Sequence, residues 1–291
     1  MEHLVRVGAD VTLHVLTNAS RPASTRAEPA RAALFLPGTL VTGALCELPL
    51  EDATAAGDAF DVAAEHGFLL FAVTYEGYGK SSKPPDGKLV TPPRLLPELQ
   101  TLMGWIRREF NVGRVDLIGT SVGASLAMAL SAQSDTETPV GRLVLASVTY
   151  KTLAPAMRAQ VLSPALRQAL LAAPDGYLRT EAAHYGPLLA GASTVVAAWA
   201  AQRLPGVYAV GPTLAGFELP IFPASRARGE ALTFWGERDI LTPREDHLTL
   251  QQEFGGSMRS AVLAEAGHAP HLEPVRAQVW RQTFEFLAQS A

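Results

Sequence analysis

Val115-Asp116-Leu117-Ile118-Gly119-Thr120-Ser121-Val122-Gly123-Ala124 is the stretch on which the fold turns. A short apolar strand pattern over 114–119 runs into Gly-x-Ser-x-Gly, and 122–130 continues in small and apolar residues suited to a helix lying close to a sheet. A serine at such a strand-to-helix turn sits in strained backbone geometry, at a cost of about 1–3 kcal/mol. The flanking glycines are required because side chains there would collide with neighbouring strands. The serine hydroxyl then stands exposed above the sheet.

Outward from this point, apolar β-branched runs alternate with longer helical patterns, the arrangement of a mostly parallel sheet covered on both faces. Strands are expected at 4–7 and 11–16, joined by Gly8-Ala9-Asp10 as an antiparallel edge hairpin, and at 33–36, 69–74, 114–119, 143–147, 231–235 and 259–263. Residues 18–31, rich in Ser, Pro, Thr and Arg, read as a solvated loop. Helices are expected over 53–66, 97–110, 122–130, 245–254 and 273–289. Between residues 150 and 228 the rhythm changes to helical stretches at 154–162, 164–172, 177–185 and 192–203 without a convincing parallel strand. The fold class is therefore α/β: an eight-stranded, mostly parallel sheet flanked by helices. Residues 1–149 and 229–291 form one core domain, and 150–228 a helical cap inserted into it.

The 291 residues are 48% hydrophobic and 18% charged, enough to bury a large core without outside help. A net charge of −4 lacks the basic footprint of nucleic-acid binding. Cys46 is the single cysteine, which excludes an internal disulfide framework, and no Cys/His pattern has zinc spacing. No apolar run approaches the roughly 20 residues that span a bilayer. The first ten residues lack the basic-then-apolar pattern of a leader, so a cytoplasmic location is expected. Abundant alanine and an excess of Arg over Lys point weakly to GC-rich bacterial coding.

Four separated segments resemble the α/β-hydrolase fold superfamily, specifically a serine hydrolase with a helical cap: Leu36-Pro37-Gly38-Thr39, Gly77-Tyr78-Gly79-Lys80-Ser81-Ser82, the serine turn, and Gly236-Glu237-Arg238-Asp239 with Gly267-His268. The resemblance implies a triad of Ser121, Asp239 and His268, in the chain order of that fold. The chemistry requires such partners, because a serine hydroxyl is a weak nucleophile until an imidazole, oriented by a carboxylate, takes its proton. Asp246, inside an expected helix, is the competing acid; His271 is the competing base and reads as structural, while His247, His184 and His66 read as surface or packing residues. The oxyanion hole implied is the backbone N–H of Val122 and of Thr39. Two positions depart from the family pattern. Pro37 replaces a common histidine, and Thr74-Tyr75-Glu76 replaces an Asp and an Arg, so a structural ion pair is expected to be missing and Glu76 reads first as a surface carboxylate, with contact to the substrate pocket as the alternative.

Serine rather than aspartate at the turn disfavours alkyl-enzyme chemistry. The expected reaction is hydrolysis of an ester or thioester of a moderately large, largely apolar small molecule, free or bound to a carrier protein, through an acyl-serine and without a cofactor. The alternatives are a tailoring enzyme of specialised metabolism using the same triad, as an acyltransferase or as a lyase with His268 as base, and a non-catalytic small-ligand receptor. Tyr150, Leu171, Tyr177, Tyr185, Trp199 and Tyr208 supply apolar and aromatic surface to the cap, most of it read as core contacts; Tyr150 and Trp199 are the expected pocket residues. The oligomeric state is left open.

Overall fold

The computed structural model describes residues 1–19, 29–52, 57–179, 192–204 and 206–289. Its strands are β1 (Glu2–Arg6), β2 (Thr12–Thr17), β3 (Ala30–Leu36), β4 (Phe68–Thr74), β5 (Val112–Thr120), β6 (Val140–Ala146), β7 (Tyr177–Arg179), β8 (Val207–Ala209), β9 (Glu230–Gly236) and β10 (Ser257–Leu263). The helices are α1 (Ala59–Glu65), α2 (Pro92–Phe110), α3 (Val122–Ala132), α4 (Pro155–Val161), α5 (Pro164–Leu171), α6 (Thr194–Arg203), α7 (Gly211–Ala215), α8 (Arg244–Glu253) and α9 (Arg276–Ala288).

Eight strands form one sheet in the order β1-β2-β4-β3-β5-β6-β9-β10. The hairpin β1–β2 is antiparallel and joins β4 antiparallel; every pairing from β4 to β10 is parallel. Alternation along β3 sends Leu34 and Leu36 to one face with α2 and α3, and Ala33 and Phe35 to the other with α1 and α9. From β3 the chain steps one way to β4 and then returns past β3 to β5. The crevice between the carboxyl ends of β3 and β5 is therefore the topological switch point, where open α/β sheets bind ligands.

The elbow helix is possible because it is nearly featureless. Every residue from Val122 to Ser131 is buried. A Cβ on Gly123 would lie 2.0 Å from the carbonyl oxygen of Leu36, and one on Gly119 would lie 2.5 Å from Cα of Ala124. Only glycine lets α3 lie this close to the sheet.

Several boundaries differ from expectation. Strand β3 starts at Ala30 within the stretch expected as loop, where its N–H donates to the carbonyl of Asn111; residues 20–28 lie outside the described residues. The helix expected over 53–66 covers Ala59–Glu65, started by an Asp58/Asp61 capping box, with 53–56 outside the described residues. Helix α2 begins at Pro92 rather than Pro97, because Thr91-Pro92-Pro93 supplies the N-terminal proline that a helix tolerates. It stops at Asn111, in left-handed geometry (φ 50°, ψ 57°).

Among the described residues between β6 and β9 the chain carries helices α4 to α7, but the helix expected over 177–185 is not formed at its start. Tyr177–Arg179 is instead a strand, β7, antiparallel to β8; residues 180–185 lie outside the described residues. The β7–β8 pair docks on the loop after β4. A Cβ on Gly87 would sit 2.3 Å from the carbonyl oxygen of Gly176, and one on Gly211 would sit 2.2 Å from that of Val90. The Tyr78 hydroxyl donates to the Ala209 carbonyl (3.2 Å), and the Tyr177 hydroxyl to that of Pro84 (2.8 Å). Among the described residues no helix is long and apolar enough to cross a membrane.

Candidate active site

Ser121 caps the N-terminus of α3 at φ 52°, ψ −120°. Its N–H donates to the Ala146 carbonyl (2.9 Å), and its own carbonyl accepts from Ala124 (3.0 Å), so strand and helix jointly hold a conformation that a non-glycine residue otherwise avoids. The loop after β3 comes down on the serine: a Cβ on Gly38 would lie 3.1 Å from Cβ of Ser121. Tyr75 fixes that loop by donating its hydroxyl to the Pro37 carbonyl (2.9 Å). Thr39 and Val122 line the same cavity as Ser121, and their N–H groups donate no hydrogen bond among the described residues.

Asp239 follows β9 through a tight turn in which its N–H donates to the Gly236 carbonyl (3.0 Å). Its Oδ1 accepts the N–H groups of Leu241 (2.8 Å) and Thr242 (3.0 Å). His268, after β10, places Nδ1 at 2.9 Å from Oδ2 and 3.1 Å from Oδ1 of this carboxylate. With Nδ1–H donating to Asp239, Nε2 is left as the proton acceptor. Ser121 and His268 line one cavity, although among the described residues no hydrogen bond joins them; such bonds are often long without substrate and tighten when it binds.

Glu273, which sequence reasoning missed, clamps the turn that carries His268. Its Oε2 accepts the N–H of Gly267 (2.6 Å) and its Oε1 that of Ala269 (3.1 Å), so the residues on both sides of His268 are held by one carboxylate. The Glu five residues after a Gly-His pair was its only sequence trace.

The rival residues have structural roles. Asp246 is buried and accepts the N–H groups of Tyr150 (2.7 Å), Lys151 (2.8 Å) and Thr152 (2.9 Å), which fixes the chain after β6. His271 also lines the cavity, but burial pushes its imidazole down to about 3; its ring meets Trp280 edge-on at 4.8 Å. His247 is pushed down to about 4 by burial and is stacked on Trp235 at 5.6 Å, with Nε2 2.8 Å from Ser260 Oγ. His247 is thus a buried packing residue. His66 bonds through Nδ1 to the Val62 carbonyl at 2.9 Å, and His184 lies outside the described residues. Cys46 is a buried thiol whose pKa burial pushes well up.

The cavity measures about 730 Å³ and is walled mainly by leucines of the β6–β9 segment, such as Leu153, Leu166 and Leu170, with Tyr208. Neither Tyr150 nor Trp199 lines it, against expectation. The Tyr150 hydroxyl turns away to donate to Glu253 (2.8 Å) and accept from the Ala224 N–H (3.1 Å), while Trp199 packs against the α1/α9 face of the core. Tyr185 lies outside the described residues.

Glu76 is a second correction. It is 2% exposed and takes a bidentate pair from Arg94 of α2, Nε to Oε2 at 2.7 Å and Nη2 to Oε1 at 3.0 Å. The ion pair expected to be missing at this corner is formed by a partner 18 residues away. Glu98, one helical turn past Arg94 and also buried, has its carboxyl pushed up to about 7 by burial and by the Glu76 charge, against the pull of Arg94. Among the described residues no three His, Cys, Asp or Glu side chains gather so as to hold a metal ion.

Residues 33–279 match the model of the alpha/beta hydrolase family, and the chain belongs to that family. Solved structures agree in fold. A thioesterase domain from the curacin biosynthetic pathway superposes with a TM-score of 0.68 at 16% identity over 98% of this chain and 99% of that one. An esterase from Exiguobacterium antarcticum gives 0.63 at 15% over 96% of each chain. A bromoperoxidase from Bacillus anthracis gives 0.71 at 13% over 100% of each. No curated protein matches the chain in sequence. The membership supports hydrolase activity.

Proposed function

We propose that the protein is a serine-dependent hydrolase of a carboxylic ester or thioester, with Ser121 as nucleophile, His268 as general base and Asp239 as its orienting acid. The observation that carries the reading is the 2.9 Å contact between His268 Nδ1 and Asp239 Oδ2, on a cavity that also exposes the strained Ser121. In the first half-reaction Ser121 Oγ attacks the acyl carbon as its proton passes to His268 Nε2. Buried Asp239 stabilises the imidazolium without taking the proton. The oxyanion is received by the N–H groups of Thr39 and Val122, each worth about 2.7–4 kcal/mol in the transition state, with the α3 N-terminus adding a favourable partial charge. His268 then protonates the leaving group, and in the second half-reaction activates the water that releases the acid.

Residues 150–228 act as the cap of this site, and the leucines they contribute favour a largely apolar small molecule as substrate. A carrier-bound thioester belongs to the same chemistry, and a thioesterase domain is among the structural neighbours. The test is labelling with a fluorophosphonate, using Ser121→Ala as control, together with turnover of a small acyl ester in oxygen-18 water. One label per chain that Ser121→Ala abolishes, and one heavy oxygen in the released acid, are expected. Labelling that survives the substitution overturns the acyl-serine; an unlabelled acid with an alkene product overturns hydrolysis.

A further inference from the structure

Of the described residues that line the cavity, Arg179 is the one with a permanent charge. It ends β7, beside Leu178 and opposite Val207, and it is exposed while Leu178 and Tyr208 lie deeper on the same wall. It forms no ion pair or hydrogen bond among the described residues. Gln160 is the other exposed polar residue of the described lining. Thr213, also on the lining, has a buried hydroxyl without a hydrogen-bond partner among the described residues. An apolar cavity thus carries at its exposed edge a guanidinium that no described residue compensates.

We propose that Arg179 is an anion subsite, and that the substrate is amphiphilic: an apolar body seated in the cavity, and a carboxylate or phosphate held by Arg179 at the mouth. This rests on the ester or thioester hydrolase reading above and narrows its substrate class. A guanidinium is charged at every physiological pH and offers a planar fork that both anions match. At the edge of an apolar cavity its field is less screened than in open water. The anion belongs either to the far end of the acyl chain or to the leaving group, as in a phosphopantetheine thioester. If Arg179 served only to lay its aliphatic stem along the leucines, its loss would weaken neutral and anionic ligands alike.

The test uses two matched pairs: p-nitrophenyl octanoate against mono-p-nitrophenyl suberate, and octanoyl-N-acetylcysteamine against octanoyl-coenzyme A. The quantity read is the ratio of kcat/KM, anionic over neutral, which cancels any loss common to both. Wild type is expected to give a ratio of about five in at least one pair, Arg179→Lys an intermediate value, Arg179→Gln a ratio near one, and Arg179→Glu a ratio below one. Preference for suberate places the anion on the acyl end; preference for the coenzyme A ester places it on the leaving group. The same compounds are titrated into Ser121→Ala protein, with and without Arg179→Gln. Arg179-dependent anion preference in binding without turnover in wild type would overturn the hydrolase reading and leave the subsite standing. Turnover with no Arg179-dependent preference in either pair overturns the subsite.

Discussion

His268 Nδ1 stands 2.9 Å from Oδ2 of Asp239, and the acid is the more deeply buried of the two, with its side chain 1% exposed against 9%. The remaining oxygen is occupied by two backbone N–H groups, so the carboxylate is fixed in direction. Asp239→Asn keeps the shape but presents the imidazole with a poor acceptor and favours the wrong tautomer. It is expected to lower kcat by about 10⁴ with a melting temperature close to wild type; a loss under tenfold in steady-state ester hydrolysis would remove Asp239 from the triad.

Ser121 is expected to trade stability for exposure of its hydroxyl. At φ 52° glycine is at ease where alanine is strained. Ser121→Gly should be more stable than Ser121→Ala by about 1 kcal/mol in urea unfolding, although both are inactive. Equal stabilities would mean that the elbow stores no strain.

Glu273 touches no reacting atom and acts as a positioning residue. In Glu273→Gln one of the two N–H groups flanking His268 meets an amide N–H instead of an oxygen. The loop carrying His268 loses its clamp, and kcat is expected to fall about tenfold or more with KM little changed. Glu273→Asp, shorter but still a carboxyl side chain, should recover part of the rate. A fall in melting temperature with unchanged kcat would assign Glu273 to stability alone.

The Glu76–Arg94–Glu98 cluster gives stability a pH dependence of definite sign. The Glu98 carboxyl titrates at about 7 in the folded chain against 4.5 when unperturbed. The folded state therefore holds the proton more tightly: the contribution is full below 4.5 and is lost as pH rises through about 7. Glu98→Gln removes the titration, so the stability of the variant relative to wild type should improve between pH 4.5 and 8, by on the order of 2–3 kcal/mol. A difference that is flat with pH would refute the shift.

The sheet was legible because its strands are apolar runs bounded by turn residues, and the elbow because glycine, serine and glycine follow one of them. Asp239 and His268 could be singled out through the resemblance of Gly236–Asp239 and Gly267-His268 to the α/β-hydrolase family, and the structure brings their side chains within 2.9 Å of each other. What stayed hidden depends on distance. Arg94 reaches Glu76 from the first turn of a helix whose start was read five residues late. Tyr177–Arg179 is too short to show a period, so the neighbouring helical pattern absorbed it. Tyr150 was misassigned because an aromatic side chain just after a strand has two possible faces, and the acceptor that decides between them, Glu253, is 103 residues on.

The glycine contacts between the loop after β4 and the β7–β8 pair set a limit on how such an enzyme can be rebuilt. Gly87 meets Gly176, and Gly211 meets Val90, main chain to main chain, with no side chain to trim or repack. The segment between β6 and β9 cannot be exchanged for that of a relative, nor transplanted onto another sheet, unless both surfaces travel together. Recombination between family members should succeed only at crossovers that leave 77–90 and 176–211 in the same parent.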